Sequence, residues 1–191
     1  MLRILFFSLF VAAGLVALYL AADAARRALR AYREYRGTRL VVCPETRRHV
    51  AVEVNAAHAA ATAAAGETEL RLQSCTRWPE RADCDQDCLH QVERAPHDCA
   101  VRTMLAEFYE GRACALCRKP FGEIRRADHK PALLRPADRR TFEWGDLAPE
   151  SLPELFRTHL PVCWNCHIAE SFRLEHPELV TDRESKYAAH V

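Results

Sequence analysis

The sequence of 191 residues predicts an α+β fold, in which an N-terminal transmembrane helix precedes a small cysteine-rich, metal-stabilised domain. Three observations predict it: an uncharged apolar run near the N-terminus, short β-branched segments alternating with helical patterns, and nine cysteines. The 27 basic and 26 acidic residues leave a formal net charge of +1. General nucleic-acid-binding proteins carry a basic surplus, so we do not expect nucleic acid as a partner.

The apolar run at residues 4–22 contains no charged residue. At 1.5 Å per residue, a helix of this length spans roughly 28 Å, close to the hydrocarbon thickness of about 30 Å of a bilayer. We therefore predict a transmembrane anchor over residues 1–23. A secretory signal usually has a shorter apolar region, but Ala22-Asp23-Ala24 resembles a signal-peptide cleavage site, so a cleaved segment remains an alternative.

A basic stretch follows the anchor at residues 24–39, and we predict a juxtamembrane helix that contacts anionic lipid headgroups. Its arginines are Arg26, Arg27, Arg30, Arg33, Arg36 and Arg39. Because the flank richer in Lys and Arg stays inside, the body is predicted to be cytoplasmic, and a periplasmic body is the alternative. In a reducing cytosol, cysteines are more often metal ligands than disulfides.

The body is predicted to contain two modules, both built around cysteine pairs. The first is a cysteine-rich α+β module at residues 40–111, and the second occupies residues 112–182. Residues 183–191 are predicted to form a disordered tail.

Two strands and a third pairing segment are predicted in the first module. β-Branched residues dominate Leu40–Cys43 and Val50–Val54, and the alternating segment Glu69–Gln73 is expected to pair with them. The alanine-rich segment at 55–66 is predicted to be a short helix or a spacer.

Helical spacing predicts the rest of the first module. Cys84 and Cys88 are four residues apart, which would place both thiols on one face of a helix ended by Pro96. Asp98 is a suitable N-cap for a helix over Cys99–Tyr109.

Two CxxC pairs give the strongest functional signal. They consist of Cys114, Cys117, Cys163 and Cys166. One CxxC turn brings two sulfurs close enough to share an ion, and two such turns complete a tetrahedral four-thiolate shell for zinc. The pairs are separated by 45 residues, more than the roughly 15–20 of a minimal site, so we expect a long insertion between them.

The context of these pairs resembles a treble-clef zinc finger over about 60 residues. The first pair is followed by a predicted hairpin, and the second opens a predicted helix at Ile168–Glu175. The resemblance implies a knuckle, a hairpin and a helix whose first turn supplies two ligands.

Within this module, Asp128-His129-Lys130-Pro131 makes the pattern similar to the HNH nucleases. That resemblance implies His129 as general base and His167 on the side of a catalytic metal. The chain departs from the family at its middle Asn, where only His159 is near, and it lacks a basic tail. A metal-dependent nuclease is therefore an alternative.

The segment Cys163-Trp164-Asn165-Cys166-His167 also matches the attachment motif of a c-type haem. The two thiols would form thioethers and His167 would be the axial ligand. Haem attachment of this kind takes place outside the cytoplasm, so this alternative requires the periplasmic body. It also leaves the first CxxC pair without a role.

A second cysteine-based metal site is predicted upstream at Cys43, Cys75, Cys84 and Cys88. Four thiolates bind zinc or an iron–sulfur cluster, whereas two disulfides or buried free thiols are the alternatives. The sequence thus favours a membrane-anchored protein with one or two zinc ions, acting as a structural or interaction module and not as an enzyme. Electron transfer through haem or an iron–sulfur cluster is the first alternative function, and the nuclease is the second.

Overall fold

The computed structural model describes residues 2–78, 80–81, 83–124 and 132–179. It contains helices and two small antiparallel sheets, and the α+β class is therefore confirmed. The chain divides into two compact units, Met1–Met104 and Leu105–Val191. The predicted tail at 183–191 lies outside the described residues.

The chain begins with one uninterrupted helix, α1 (Leu2–Tyr35). The predicted anchor and most of the predicted juxtamembrane helix are therefore parts of the same helix. From Phe6 onward it is long and apolar enough to cross a membrane, and its most apolar segment is not buried in the protein. A signal sequence near an N-terminus and the core helix of a soluble protein meet the same criteria of length and hydropathy.

The first unit is built on a sheet with the order β1-β2-β3. Strand β1 (Thr38–Val42) pairs antiparallel with β2 (His49–Val54), and β2 pairs antiparallel with β3 (Leu72–Cys75). The two predicted strands are confirmed, and the third begins three residues later than the segment that we expected to pair. The sheet buries a valine-rich face, since Val41, Val50, Val52 and Val54 belong to one apolar core.

The alanine-rich segment is a helix, α2 (Ala56–Ala65). The Asn55 side chain caps it by accepting a hydrogen bond of 2.9 Å from the backbone N–H of His58. Gly66 ends it with φ at 120°, a conformation that other residues rarely adopt. Because alanine side chains are small, α1 packs closely on α2, where Ala59 is fully buried.

The predicted helix with Cys84 and Cys88 on one face is wrong. Helix α3 (Leu89–Arg94) begins directly after Cys88, and Gln86 has φ at 59°, which no helix residue adopts. The Gln86 side chain accepts a hydrogen bond of 2.9 Å from the backbone N–H of Leu72. This contact with β3 favours the turn over a helix. The next helix, α4 (Val101–Tyr109), begins two residues later than predicted.

Arg39 differs from the other arginines of the basic stretch because it is buried, with 1% of its surface exposed. Its guanidinium donates hydrogen bonds to the carbonyl oxygens of Glu34 and Pro96. Arg39 is therefore a structural residue, and the prediction that it lies among lipid headgroups is wrong for this one side chain.

The second unit contains another antiparallel sheet, of order β5-β4-β6. Its strands are β4 (Ala132–Leu134), β5 (Thr141–Glu143) and β6 (Leu160–Val162). Helix α5 (Leu152–Thr158) precedes β6, and α6 (Trp164–Glu175) follows it. Short 3₁₀ helices lie at Trp144–Asp146, Pro149–Ser151 and Pro177–Leu179.

Candidate metal centre

The first CxxC pair lies in a tight turn over residues 114–119. The backbone N–H of Cys114 donates to the carbonyl oxygen of Lys119 at 2.9 Å, and that of Arg118 donates to the carbonyl oxygen of Cys114 at 2.9 Å. Arg118 has φ at 62°, in the left-handed region. The turn therefore folds back on itself and directs both cysteines of the pair to one side, as a zinc knuckle does.

The second CxxC pair lies at the junction of β6 and α6. Cys163 is the N-cap residue of α6, and Cys166 lies in its first turn. The backbone N–H of Ala115 donates to the carbonyl oxygen of Pro161 at 2.9 Å, which joins the knuckle to β6. The two CxxC pairs are thereby brought together, although the predicted helix begins four residues earlier than expected.

The four cysteines converge on one point. Their sulfurs all lie within 4.8 Å of one another, and those of Cys117 and Cys163 are 3.7 Å apart. In a tetrahedral shell with Zn–S bonds of about 2.3 Å, neighbouring sulfurs are roughly 3.8 Å apart. The cluster is thus close to the geometry of a four-thiolate metal site, and the sequence prediction that these four residues meet is supported by their positions.

The surroundings give the thiols different acidities. Burial raises the pKa of Cys166 and Cys163, and hydrogen bonds with the thiols of Cys114 and Cys117 raise both further, while hydrogen bonds from Cys166 partly offset the rise at Cys163. Burial also opposes ionisation of Cys114, but backbone N–H groups of Cys117, Cys163 and Leu116 donate to its sulfur and lower its pKa to about 7. Cys114 is the most deeply buried of the four and the best prepared to be a thiolate before an ion arrives.

His167, which follows the last cysteine, lies beside this cluster and is buried, with 7% of its surface exposed. Its Nδ1 lies 2.8 Å from the hydroxyl oxygen of Thr141, and its Nε2 lies 3.7 Å from a carboxylate oxygen of Glu143. The imidazole therefore links α6 to β5. Thr141 and Glu143 carried no signal in the sequence, because their role depends on a pairing across 26 residues.

The four upstream cysteines also lie near one another, but their sulfurs are less closely grouped than those of the downstream four. Cys43, Cys75, Cys84 and Cys88 all border one cavity of the first unit. Burial raises the pKa of Cys88 to about 11, and the neighbouring thiols of Cys75, Cys84 and Cys43 add to this effect. Within residues 2–78, 80–81, 83–124 and 132–179, only the downstream four have ligand atoms that all lie within 4.8 Å of one another.

The nuclease alternative depends on two further histidines, His129 and His159. His129, the expected general base of the nuclease alternative, lies outside the described residues together with the rest of its motif. His159 ends α5, and its ring nitrogen Nδ1 lies 2.8 Å from the hydroxyl oxygen of Thr158. Its ring also faces that of Phe142 in β5, with the ring centroids 6.3 Å apart.

No protein-family model, curated protein or solved structure matches the chain. The cysteine cluster and the apolar helix α1 are therefore the two features that bear on its function.

Proposed function

We propose that this protein is a membrane-anchored zinc protein whose C-terminal unit is a treble-clef module serving structure and interaction. The convergence of Cys114, Cys117, Cys163 and Cys166 carries the proposal. Four thiolates in a tetrahedral arrangement are typical of structural zinc, which keeps no open coordination position for a substrate. The order of knuckle, β4–β5 hairpin and helix α6 supports the treble-clef assignment.

The small core around the centre supports a structural role for the ion. The buried apolar residues packed with Cys114 are Leu134 and Val162, and the other members are only partly buried. This local core is small, so metal binding would supply much of the free energy that holds the turn at 114–119 against β6 and α6. Phe108, Leu133 and Leu152 are buried in the same unit outside this cluster, so they would stabilise the rest of it. The ion would tie the knuckle to β6 and α6, which are otherwise joined by few backbone hydrogen bonds.

The anchor supports a location at the membrane. Helix α1 is long enough to span a bilayer, and the arginines in its C-terminal part, such as Arg26, Arg30 and Arg33, are exposed. Exposed arginines beside an apolar span favour the cytoplasmic face and anionic headgroups. We propose a single-pass protein with a cytoplasmic body.

Elemental analysis of the full chain, purified in detergent without added metal, tests the zinc assignment. We expect zinc and no iron, and we expect Cys114→Ser to lower the zinc content by about one ion per chain because a four-thiolate shell loses one ligand. Cys99→Ser is the matched control, since Cys99 is partly buried but belongs to neither cysteine set. An unchanged zinc content in Cys114→Ser would refute the proposal.

The same sample separates the alternatives. Haem attached to Cys163 and Cys166 would give a Soret absorption band and would survive Cys114→Ser. An iron–sulfur cluster would bring inorganic sulfide as well as iron. Magnesium-dependent cleavage of DNA that is lost in His129→Ala would favour the nuclease.

A further inference from the structure

A second knuckle is present in the first unit, at residues 43–48. The backbone N–H of Cys43 donates to the carbonyl oxygen of Arg48 at 2.9 Å, and that of Arg47 donates to the carbonyl oxygen of Cys43 at 2.7 Å. Arg47 has φ at 56°. These three features repeat those of the turn at 114–119, where the same two hydrogen bonds are 2.9 Å long and Arg118 has φ at 62°.

The sulfur of the first cysteine is also held in the same way in both turns. Cys43 accepts hydrogen bonds from the backbone N–H groups two and three residues later, at Glu45 and Thr46. Cys114 accepts them from the corresponding positions of its own turn. Backbone donors aimed at a sulfur stabilise a thiolate and are independent of the side chains around it. The first unit therefore contains a turn suited to holding a metal-bound cysteine.

The upstream knuckle differs at one position. Thr46 stands where the downstream knuckle has Cys117, and its side chain hydrogen-bonds to the sulfur of Cys43. One knuckle thiol is therefore absent, and an ion held by Cys43 would need three ligands from elsewhere in the unit.

Three cysteines are placed to supply them. Cys75 is the last residue of β3, Cys88 directly precedes α3, and Cys84 lies in the turn before Cys88. Together with Cys43 they border a cavity of about 130 Å³. This volume accommodates an ion and lets the thiol side chains rotate inward, because a single water needs only about 10–15 Å³ of such space.

Hydrogen-bond donors surround the same cavity. The Arg77 guanidinium lies 2.9 Å from the sulfur of Cys43 and also pairs with Glu45. Trp78 lines the cavity, and its buried indole Nε1 has no hydrogen-bond partner among the residues that the structure describes. Both donors can hydrogen-bond to metal-bound sulfurs, which stabilises thiolates. The carboxylates of Glu45, Asp85 and Asp87 also line the cavity, so these hydrogen bonds and not the net charge of the lining support the site.

We infer that Cys43, Cys75, Cys84 and Cys88 form a second four-thiolate site for a zinc-class divalent ion in the first unit. The ion would join the hairpin β1–β2, the end of β3 and the start of α3, which surround the cavity. This inference does not depend on the proposed function, because none of its ligands belongs to the downstream centre.

Zinc stoichiometry of the full chain in detergent tests it. We expect about two zinc ions per chain in the wild type, and about one in either Cys75→Ser or Cys114→Ser, since each substitution removes a ligand from a different site. The double variant should hold none, and Cys99→Ser should keep both. A wild-type protein with one zinc that Cys75→Ser retains would overturn the inference and leave the downstream centre intact. Loss of that zinc in Cys75→Ser but not in Cys114→Ser would instead overturn only the proposed function.

A second measurement avoids variants that fail to fold. Native wild-type protein is treated with an alkylating reagent before and after a zinc chelator, and each cysteine is followed by mass spectrometry. We expect Cys43, Cys75, Cys84 and Cys88 to become reactive together after chelation, whereas Cys99 changes little. Equal labelling with and without chelator, disulfide-linked peptides from these four residues, or iron in place of zinc would each contradict the inference.

Discussion

The buried hydroxyl of Tyr109, the last residue of α4, donates a hydrogen bond of 2.9 Å to the carbonyl oxygen of Ala132, the first residue of β4. Burial raises the pKa of Tyr109 above its usual range, so the phenol stays neutral and remains a donor. Strand β4 is central in its sheet, and its neighbour β6 leads directly to Cys163. The Tyr109 hydroxyl therefore supports the strand beside half of the cysteine cluster.

Tyr109→Phe should lower the free energy of unfolding of the zinc-bound protein by about 1–3 kcal/mol, because a buried carbonyl loses its donor while the ring is retained. Denaturant unfolding followed by circular dichroism measures this change. Tyr32→Phe is the control, since Tyr32 is 44% exposed and should change stability by less than about 0.5 kcal/mol. An equal decrease in the free energy of unfolding in both variants would show that the buried hydrogen bond does not stabilise the protein.

Because Arg118 has a left-handed backbone conformation, substitutions at this position should change the stability of the protein in a predictable direction. A residue with a Cβ atom is destabilised by roughly 1–2 kcal/mol in the left-handed region of φ and ψ, and glycine avoids this steric cost. Glycine loses more backbone entropy on folding, which offsets part of the gain. Arg118→Gly should therefore leave stability unchanged or raise it by up to about 1 kcal/mol, and Arg118→Val should lower it. Lys119→Gly is the matched control, because Lys119 is also exposed but has no positive φ, and it should be destabilising. Stabilities follow from thermal unfolding at saturating zinc.

Metal binding at the downstream centre should depend on pH. Zinc binds thiolates, and the raised pKa values of Cys163 and Cys166 mean that both are protonated at pH 7 before an ion arrives. Cys114, whose pKa is lowered to about 7, is then partly ionised. Binding should therefore release on the order of two to four protons per ion, and affinity should fall as the pH falls from 8 to 6.

Calorimetric zinc titrations in buffers of different ionisation enthalpy measure this proton release. The Cys75→Ser variant isolates the downstream centre for this experiment. An affinity that is independent of pH would contradict a four-thiolate ligand set.

Local sequence patterns predicted the elements whose stabilising contacts are themselves local. β-Branched residues alone predicted β1 and β2. The alanine-rich segment was compatible with a helix or a spacer, and the structure shows that Asn55 and Gly66 cap a helix there. The convergence of the two CxxC pairs could also be predicted, because metal-ligand spacing restricts the possible folds strongly.

The remaining features depend on contacts between distant residues. Gln86 adopts a left-handed turn while its side chain accepts a hydrogen bond from Leu72, and four-residue spacing between cysteines gave no sign of this. The burial of His167 depends on Thr141 in another element. Such pairings are set by tertiary structure, which overrides the local preference that the sequence displays.

His167 should matter for stability and not for metal content. His167→Ala removes the hydrogen bond to Thr141 and leaves a small cavity between α6 and β5, which should cost about 1–3 kcal/mol. In the proposed site the four cysteines complete the shell, so zinc content should stay at the wild-type level. Thr141→Val and the double variant measure the coupling energy of the pair. Loss of zinc in a folded His167→Ala protein would show that the ligand set includes the imidazole.

Helix α1 should anchor the chain through its uncharged segment. Leu15→Arg places a charge near the middle of residues 4–22, where insertion becomes unfavourable by about 2.5–3.5 kcal/mol, and should move protein from the carbonate-resistant membrane fraction to the supernatant. Ala25→Arg is the control, since Ala25 is exposed and lies among arginines beyond the span, and it should not change the fractionation. A reporter fused after residue 191 should respond as a cytoplasmic one, because the basic flank stays inside. A mature protein whose N-terminus begins after Ala24 would show instead that α1 contains a cleaved signal, and it would remove the main argument against haem at Cys163 and Cys166.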